Sequence, residues 1–346
     1  MSYTFDRIAP GSLVLVTGAT GLIGSSVTTS VLEHGYKVRA ATRSVKKQQP
    51  FQQYLEGKYG KDAIEFVEVT DFTDPKVWDA LLEGVQGVIH LATDTSFSPR
   101  YDEVVPSVEA FTETFLAAAS RAPHVKSVVM TSSRIAVFNP TFGQDLDLTV
   151  NDWADYMVDL AKTVKEDDPM APVLVYAASK VRGERAAWEY IERNKASNPH
   201  FAFNTVLPDY VAGPAANPTP GNYSTHTFLN QVFQGDANSY AVAFMKPASR
   251  FVDVRDTADV HLAALTESHL NGQRLWAAPH KFTIDDILAA WREAFPNKKI
   301  LPDFKFEGQP DINIDDEQST ALLKAFKGAD WYSLKETVVD NVKSVL

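Results

Sequence analysis

The sequence predicts an α/β protein, a doubly wound parallel sheet with a smaller mixed region toward its C-terminal end. Three observations point there. Short apolar runs alternate with helix-compatible stretches through the first 208 residues. A glycine-rich turn falls inside the first strand–turn–helix unit. Beyond Pro208 the alternation gives way to a Gly-, Pro- and Asn-rich stretch, Asp209–Pro220, and then to irregular pieces.

Ser12–Thr17 (SLVLVT) is a nearly continuous apolar run, as in a strand buried on both faces. Leu22–Leu32 has helical spacing, and Gly35 supplies its stop. A strand at Tyr36–Ala41, a polar helix over Val45–Gly57 and a strand at Ile64–Val69 follow. Pro75–Leu82 reads as a short helix, Val85–Leu91 as a fourth strand, Tyr101–Arg121 as a long amphipathic helix and Lys126–Ser132 as a fifth strand. The helix Val173–Arg193 and the strand Phe201–Leu207 complete the series, and right-handed crossovers place helices on both faces. Further on, His226–Phe233 is helical, while Phe251–Leu265, Thr283–Phe295, Asp316–Phe326 and Leu334–Val345 read as strand and helix pieces.

Composition narrows the function classes. The 346 residues, 45% hydrophobic and 22% charged, suit a globular protein with a sizeable core. With no cysteine there are no disulfides or thiolate nucleophiles, and a reducing, cytoplasmic setting is expected. The opening MSYTFDRIAP does not read as a secretory signal, and no apolar run approaches membrane-spanning length. A net charge of −11 argues against a nucleic-acid surface. Yet Tyr36–Leu55 holds no acid while Lys37, Arg39, Arg43, Lys46 and Lys47 all fall there, and such a cluster calls for an anionic partner.

Thr17-Gly18-Ala19-Thr20-Gly21-Leu22-Ile23-Gly24 lies at a strand-to-helix junction. Its early glycines permit a tight turn and close approach to a pyrophosphate, and the last lets helix and strand pack together. The helix N-terminus then offers unpaired N–H groups to the phosphates. This predicts a Rossmann-type dinucleotide domain over residues 1–208, also receiving about 250–278, with 209–249 and 279–346 as the smaller substrate-binding region. A fold preferring NAD places an acid after its second strand; here Ala41 and Thr42 are followed by Arg43. Arg43 and Lys47, with Arg39 as a spare, are therefore assigned to a 2′-phosphate, and the expected cofactor is NADP(H). Asp71 is a candidate for the adenine amino group, although a helix cap at Asp71 or Thr73 suits it equally.

Tyr176-Ala-Ala-Ser-Lys180 sets a phenol and an ammonium one turn apart on a helix face. A nearby cation favours phenolate, and a phenol so tuned can protonate an oxygen whose carbon receives hydride. Lys180 could also hold the nicotinamide ribose. Tyr54 and Lys58 share the spacing but precede the third strand, which marks them as surface helix. Thr131-Ser132-Ser133 ends the fifth strand, so the Ser133 hydroxyl is expected at the carboxyl edge as a donor to a substrate carbonyl, with Ser132 capping backbone.

Together TGATGLIG, HLAT at 90–93, TSS at 131–133, YAASK at 176–180 and LPDYVAGP at 207–214 resemble the extended short-chain dehydrogenases/reductases over nearly the whole chain. EHGYKVR at 33–39 and SFSPRYDEVV at 96–105 are similar to the fungal and yeast-type NADPH-dependent aldehyde and carbonyl reductases, in the branch with the dihydroflavonol reductases. The resemblance implies Ser133 as oxygen donor, Tyr176 as acid/base and Lys180 as its electrostatic partner. It also implies Arg43 and Lys47 at the 2′-phosphate and Pro208 and Val211 beside the nicotinamide. Thr17, Leu91, Ala92, Thr93 and Thr131 join the glycine loop as expected cofactor contacts. Arg134 departs from the branch, where a small or uncharged residue is usual, and is expected to face solvent.

The reaction expected is reduction of an aldehyde or ketone, in a monomer or homodimer. A nucleotide-sugar epimerase or dehydratase would share the fold, but its acid after the second strand is missing, and Arg134 and Ile135 stand where a dehydratase has an acid. A hydroxysteroid dehydrogenase would use the same machinery, whereas a non-catalytic NADP sensor would tend to lose the Tyr–Lys pair. No histidine pair has metal-ligand spacing on one helix, so no metal is expected, and His90 reads as core. Phe97, Tyr210, Tyr223, Thr227, Phe228 and Phe244 are candidates for an apolar pocket wall, each with core packing as the equal alternative.

Overall fold

A computed structural model of the chain describes residues 3–195, 200–219, 225–239, 241–242 and 245–346. Its strands are β1 (Leu13–Thr17), β2 (Lys37–Thr42), β3 (Ile64–Glu68), β4 (Val85–His90), β5 (Ser127–Thr131), β6 (Leu146–Leu148), β7 (Ala202–Pro208), β8 (Tyr210–Ala212), β9 (Ser249–Asp253), β10 (Gln273–Ala277), β11 (His280–Phe282) and β12 (Ile312–Ile314). Its helices are α1 (Leu22–Glu33), α2 (Gln49–Tyr59), α3 (Pro75–Leu81), α4 (Tyr101–Arg121), α5 (Asp155–Thr163), α6 (Ala171–Arg193), α7 (Thr225–Phe233), α8 (Val254–Thr266), α9 (Ile284–Ala294), α10 (Glu317–Lys327) and α11 (Leu334–Lys343).

Seven strands form one parallel sheet in the order β10-β7-β5-β4-β1-β2-β3. Side chains alternate between its faces as strand geometry requires. Val14, Val16, Ile89, Val129 and Val206 pack on one face with α1 and α8. Leu15, Val88, Val128 and Phe203 pack on the other with Trp78 of α3 and Phe115 and Leu116 of α4. The sheet is thus covered on both sides, the reason its strands read as unbroken apolar runs. Helix α6 lies beside α4 so closely that a Cβ on Gly183 would meet Val108 Cγ1 at 2.8 Å.

Beyond the large sheet, β8 pairs parallel to β9 and β9 antiparallel to β11, with a C-terminal core of Phe233, Phe251, Phe282, Trp291 and Val338. A second small pair joins β6 to β12. Two features depart from the sequence-based expectation. Val45–Gly57 divides into a 3-10 turn, Lys46–Gln48, and α2, whose first turn Pro50 is suited to start. Helix α5 and the short strands β6 and β12 lie in segments to which the sequence pattern assigned no element. Strand β10 completes the edge of the large sheet beside β7.

Candidate active site

The strand order reverses direction between β1 and β4, which opens a crevice beyond their carboxyl ends. The glycine loop borders it from one side. Gly18 has φ 65°, and a Cβ there would lie 3.0 Å from the Ala92 nitrogen, so only glycine suits this approach to the β4 exit. A Cβ on Gly24 would sit 2.0 Å from the Gly18 carbonyl oxygen, so helix α1 rests directly on the loop. Gly21 is the N-cap of α1 and supplies no side-chain oxygen, and the first turn holds no acid. Leu22 and Ile23 open the helix, and the Thr20 carbonyl accepts from Asn217 Nδ2 at 3.1 Å.

The Thr17 hydroxyl is engaged within the protein. The residue is fully buried, its hydroxyl lies 2.9 Å from His90 Nδ1, and its oxygen accepts from the Leu91 and Ala92 nitrogens, each at 3.1 Å. It fixes the Leu91–Ala92–Thr93 turn against β1. Thr131 is similar, with its hydroxyl 2.7 Å from His261 Nε2. His90 is buried core as expected, stacked on Phe115 at 4.6 Å.

Past β2, Arg43 and Lys47 are exposed, and among the described residues neither forms an ion pair. Arg39, the expected spare, is not available. Its guanidinium pairs with Glu65 at 2.6 Å and donates to the carbonyls of Leu81 and Glu83. Asp71 Oδ1 accepts from both the nitrogen and hydroxyl of Thr73 at 2.7 Å, and the cap of α3 is Asp74.

The proton-transfer candidates converge at the carboxyl edge of β5. Ser133 caps a 3-10 turn, its oxygen accepting from the Ile135 nitrogen at 3.3 Å, and its side chain is one of the groups that act on the Tyr176 phenol. Lys180 Nζ lies 5.9 Å from the Tyr176 ring centre. Phe97 packs its ring on Tyr176 at 5.0 Å and holds φ 52°, unusual for a bulky residue and a mark of local constraint. The decoy behaves as surface, with Tyr54 49% exposed and Lys58 paired to Glu33 at 2.9 Å.

The electrostatics differ from the expectation that Lys180 lowers the phenol. Burial pushes Tyr176 above its ordinary value, and the groups opposing it are Arg134 and then the Ser133 hydrogen bond. The phenol is therefore held neutral, the form that donates a proton. Burial pushes Lys180 down to about 8, with Glu184 opposing.

Sequence reading missed the partners behind these groups. Glu184 lies one turn past Lys180, fully buried, accepting from Arg274 Nε at 2.9 Å, Ser132 at 2.6 Å and Thr205 at 2.8 Å. Burial pushes its carboxyl up, but Arg274 and these hydroxyls outweigh that and hold it below the usual carboxylate range. The i, i+4, i+8 row Tyr176–Lys180–Glu184 was a signal available in the sequence. Arg134 corrects the solvent-facing expectation. Its side chain is 11% exposed and pairs with Asp209, itself 3% exposed, at 2.6 Å. The charge of Asp209 is what draws it inward.

The expected pocket wall assembles only in part. Phe97 lines the open side of Tyr176, and Pro208 and Val211 flank the β7–β8 exit. Tyr210 is core, 7% exposed, its hydroxyl donating to the Thr225 carbonyl at 3.3 Å and its ring packed on Phe282. Thr227 and Phe228 are half-buried on α7. Tyr223 and Phe244 lie outside the described residues.

Known proteins match this chain along most of its length. Aldehyde reductase 2 of Sporidiobolus salmonicolor is 36% identical over 335 residues, covering 96% of each chain. Ketoreductase adrE of Penicillium rubens is 34% identical over 310 residues, covering 88% of this chain and 87% of its own. The crystal structure of the yeast methylglyoxal/isovaleraldehyde reductase Gre2 complexed with NADPH superposes with a TM-score of 0.77 at 26% identity, covering 96% of this chain and 98% of that one. The model of the NAD dependent epimerase/dehydratase family matches residues 14–276. With that match over most of its length, the chain belongs to the NAD dependent epimerase/dehydratase family.

Proposed function

We propose that the chain is an NADPH-dependent reductase that converts aldehydes or ketones to alcohols, with Tyr176 as the proton donor. The observation that carries this reading is the meeting of half-buried Ser133 and Tyr176 with buried Lys180 at the carboxyl edge of β5, the phenol held neutral. The relatives named aldehyde reductase and ketoreductase support it over sugar epimerisation.

The crevice fits an NADP-type dinucleotide. Side chains at Gly18 and Gly24 would collide with backbone, the α1 N-terminus carries no side-chain cap, and the cations past β2 have no carboxylate beside them in sequence. Gly18, Gly21 and the first turn of α1 would hold the pyrophosphate, Arg43 and Lys47 the 2′-phosphate, Lys180 the ribose, and Pro208 and Val211 the nicotinamide. NADPH, when bound, supplies the hydride to the carbonyl carbon. Ser133 and Tyr176 donate hydrogen bonds to the carbonyl oxygen and so polarise it. Tyr176 then transfers its proton to that oxygen, and Lys180 stabilises the phenolate left behind. Phe97 gives the open side an aromatic wall suited to an aryl or alkyl body.

Among the described residues no helix is long and apolar enough to cross a membrane. A cytoplasmic location and a monomer or homodimer belong to the proposal, and light scattering on the purified protein distinguishes the two assemblies. The test of function is NADPH consumption with aldehydes, α-keto esters, diketones and dihydroflavonols. Carbonyl reduction that falls about a thousandfold in Tyr176→Phe is expected. Absence of turnover with every carbonyl, or a Tyr176→Phe enzyme equal to the parent, rejects the reading.

A further inference from the structure

Arg134 follows Ser133 directly and opens the 3-10 turn that Ser133 caps. Its guanidinium is held by neighbours on several sides. Nε donates to Asp209 Oδ1 at 2.6 Å, and Nη1 donates to the Phe138 carbonyl and Asn139 Oδ1, each at 3.3 Å. The Phe138 ring lies 5.3 Å below it. Asp209 is held in turn, since Oδ2 accepts from Ser249 Oγ at 2.7 Å and the Arg250 nitrogen at 2.9 Å. Asp209 is also the single residue between β7 and β8, next to Pro208. The ion pair therefore ties the exit of β5 to the exit of β7, and the 3-10 turn that Arg134 opens packs on α6, where Ile135 and Ala136 share a cluster with Val175 and Ala178 and Tyr176 packs against it.

Stability alone is a weak reason for such a pair, because well-packed apolar residues often serve a buried site as well. We infer that Arg134 is a positioning residue for the reduction, fixed by Asp209 so that its charge stabilises the oxyanion formed as the proton leaves Tyr176. This rests on the reductase reading. The groups facing Tyr176 are consistent with it. Its own helix contributes Lys180, with Glu184 behind it; the β5 exit contributes Ser133 and Arg134, with Asp209 behind; the loop before α4 contributes the uncharged Phe97 ring. From β4, His90 faces Lys180 and is neutral, held at about 3 by burial and then by Lys180. Arg134 is the charge that most opposes the effect of burial on Tyr176. Lys180, at about 8, loses its proton in mildly alkaline solution, whereas a guanidinium keeps its charge throughout. Arg134 thus supplies the permanent part of the positive field.

The test is the pH profile of kcat/KM for alcohol oxidation, in which the Tyr176 phenolate is the base, in Arg134→Gln, Arg134→Lys, Asp209→Asn and the paired Arg134→Met/Asp209→Leu. NADPH affinity by fluorescence and the thermal midpoint verify that each protein is intact. The rise of activity with pH moves up by about one unit in Arg134→Gln and in the pair, returns part of the way in Arg134→Lys, and moves down in Asp209→Asn, which frees the charge of its counterion. The tyrosinate absorbance that Tyr176→Phe removes shifts with it in cofactor-free protein. Profiles that coincide with the parent in Arg134→Gln overturn the inference, and the pair decides alone if Arg134→Gln does not fold. Failure of the reductase reading looks different, because Tyr176→Phe would then keep full activity.

Discussion

Replacing Glu184 with Gln preserves shape and removes the charge on which Arg274 depends. Arg274 is 8% exposed in its side chain and makes two bonds to that carboxylate, at 2.9 and 3.0 Å. Its remaining contacts are the carbonyls of Val150 and Asp152 and the Trp153 ring at 3.8 Å, none of them anionic. Breaking one side of a buried pair costs about 3–5 kcal/mol. Unfolding entropy of about 2.1 cal/mol/K per residue gives about 0.7 kcal/mol/K for 346 residues, so the thermal midpoint falls by about 4–7 °C. Differential scanning calorimetry on Glu184→Gln, Arg274→Met and Glu184→Leu/Arg274→Met measures this. The pair of apolar residues regains most of the loss, because neither charge is then left alone. An unchanged midpoint in Glu184→Gln, or losses that simply add in the double variant, would refute the coupling. NADPH binding at pH 8 weakens as well, since Lys180 loses the anion that supports its charge.

Gly24→Ala forces α1 off the glycine loop, because its Cβ would start 2.0 Å from the Gly18 oxygen, and kcat/KM for NADPH drops about 100-fold in steady-state assays. Arg43→Ala and Lys47→Ala each raise the Kd for NADPH by about 10–100-fold, the worth of a charged hydrogen bond, and leave that for NADH nearly unchanged; equal effects on both cofactors would remove the 2′-phosphate assignment. Stability falls in acid. Burial holds His90 at about 3 and His261 at about 4, the latter opposed by its bond to the Thr257 carbonyl, so between these values and about 6.5 the unfolded chain binds protons that the folded one refuses. At pH 5 each histidine costs about 2 kcal/mol, and Asp256, raised by burial to about 6, returns about 1. Urea unfolding at pH 5 should therefore show about 3 kcal/mol less stability than at pH 8, and an equal or greater value would contradict the assignment.

Local patterns carried the large sheet and failed where distant partners decide. Tyr101–Arg121 was legible to the residue, because an amphipathic run of that length leaves little choice of period. Strands of three residues, such as β6 and β12, contain too few positions for alternation to register. Position in the chain separated Tyr176 from Tyr54 where spacing could not, and the exposed face of α2 agrees. Arg39 and Arg43 looked alike in sequence; Glu65, on the neighbouring strand, is what removes Arg39 from the ligand side. Arg134 was misread for the same reason. Its burial depends on Asp209, 75 residues away, and no window along the chain contains both.

That misreading bears on the chemistry, because it changes which cation matters to the phenol. In the sequence the Tyr–Lys pair looks self-sufficient, with a single ammonium one turn away to draw off the proton. In the folded protein burial acts on both members, raising the phenol and lowering the ammonium, so the phenol keeps its proton and the ammonium loses its own at lower pH than usual. A neutral phenol is ready to give its proton to a carbonyl oxygen, and the phenolate that follows draws on Lys180, still charged at neutral pH, and on charge from outside the pair. The structure has two sources within reach, the Ser133 hydroxyl and the guanidinium beside it. Reduction at neutral pH therefore depends on the β5 exit as much as on α6, and the two are bound together where Glu184 accepts from Ser132.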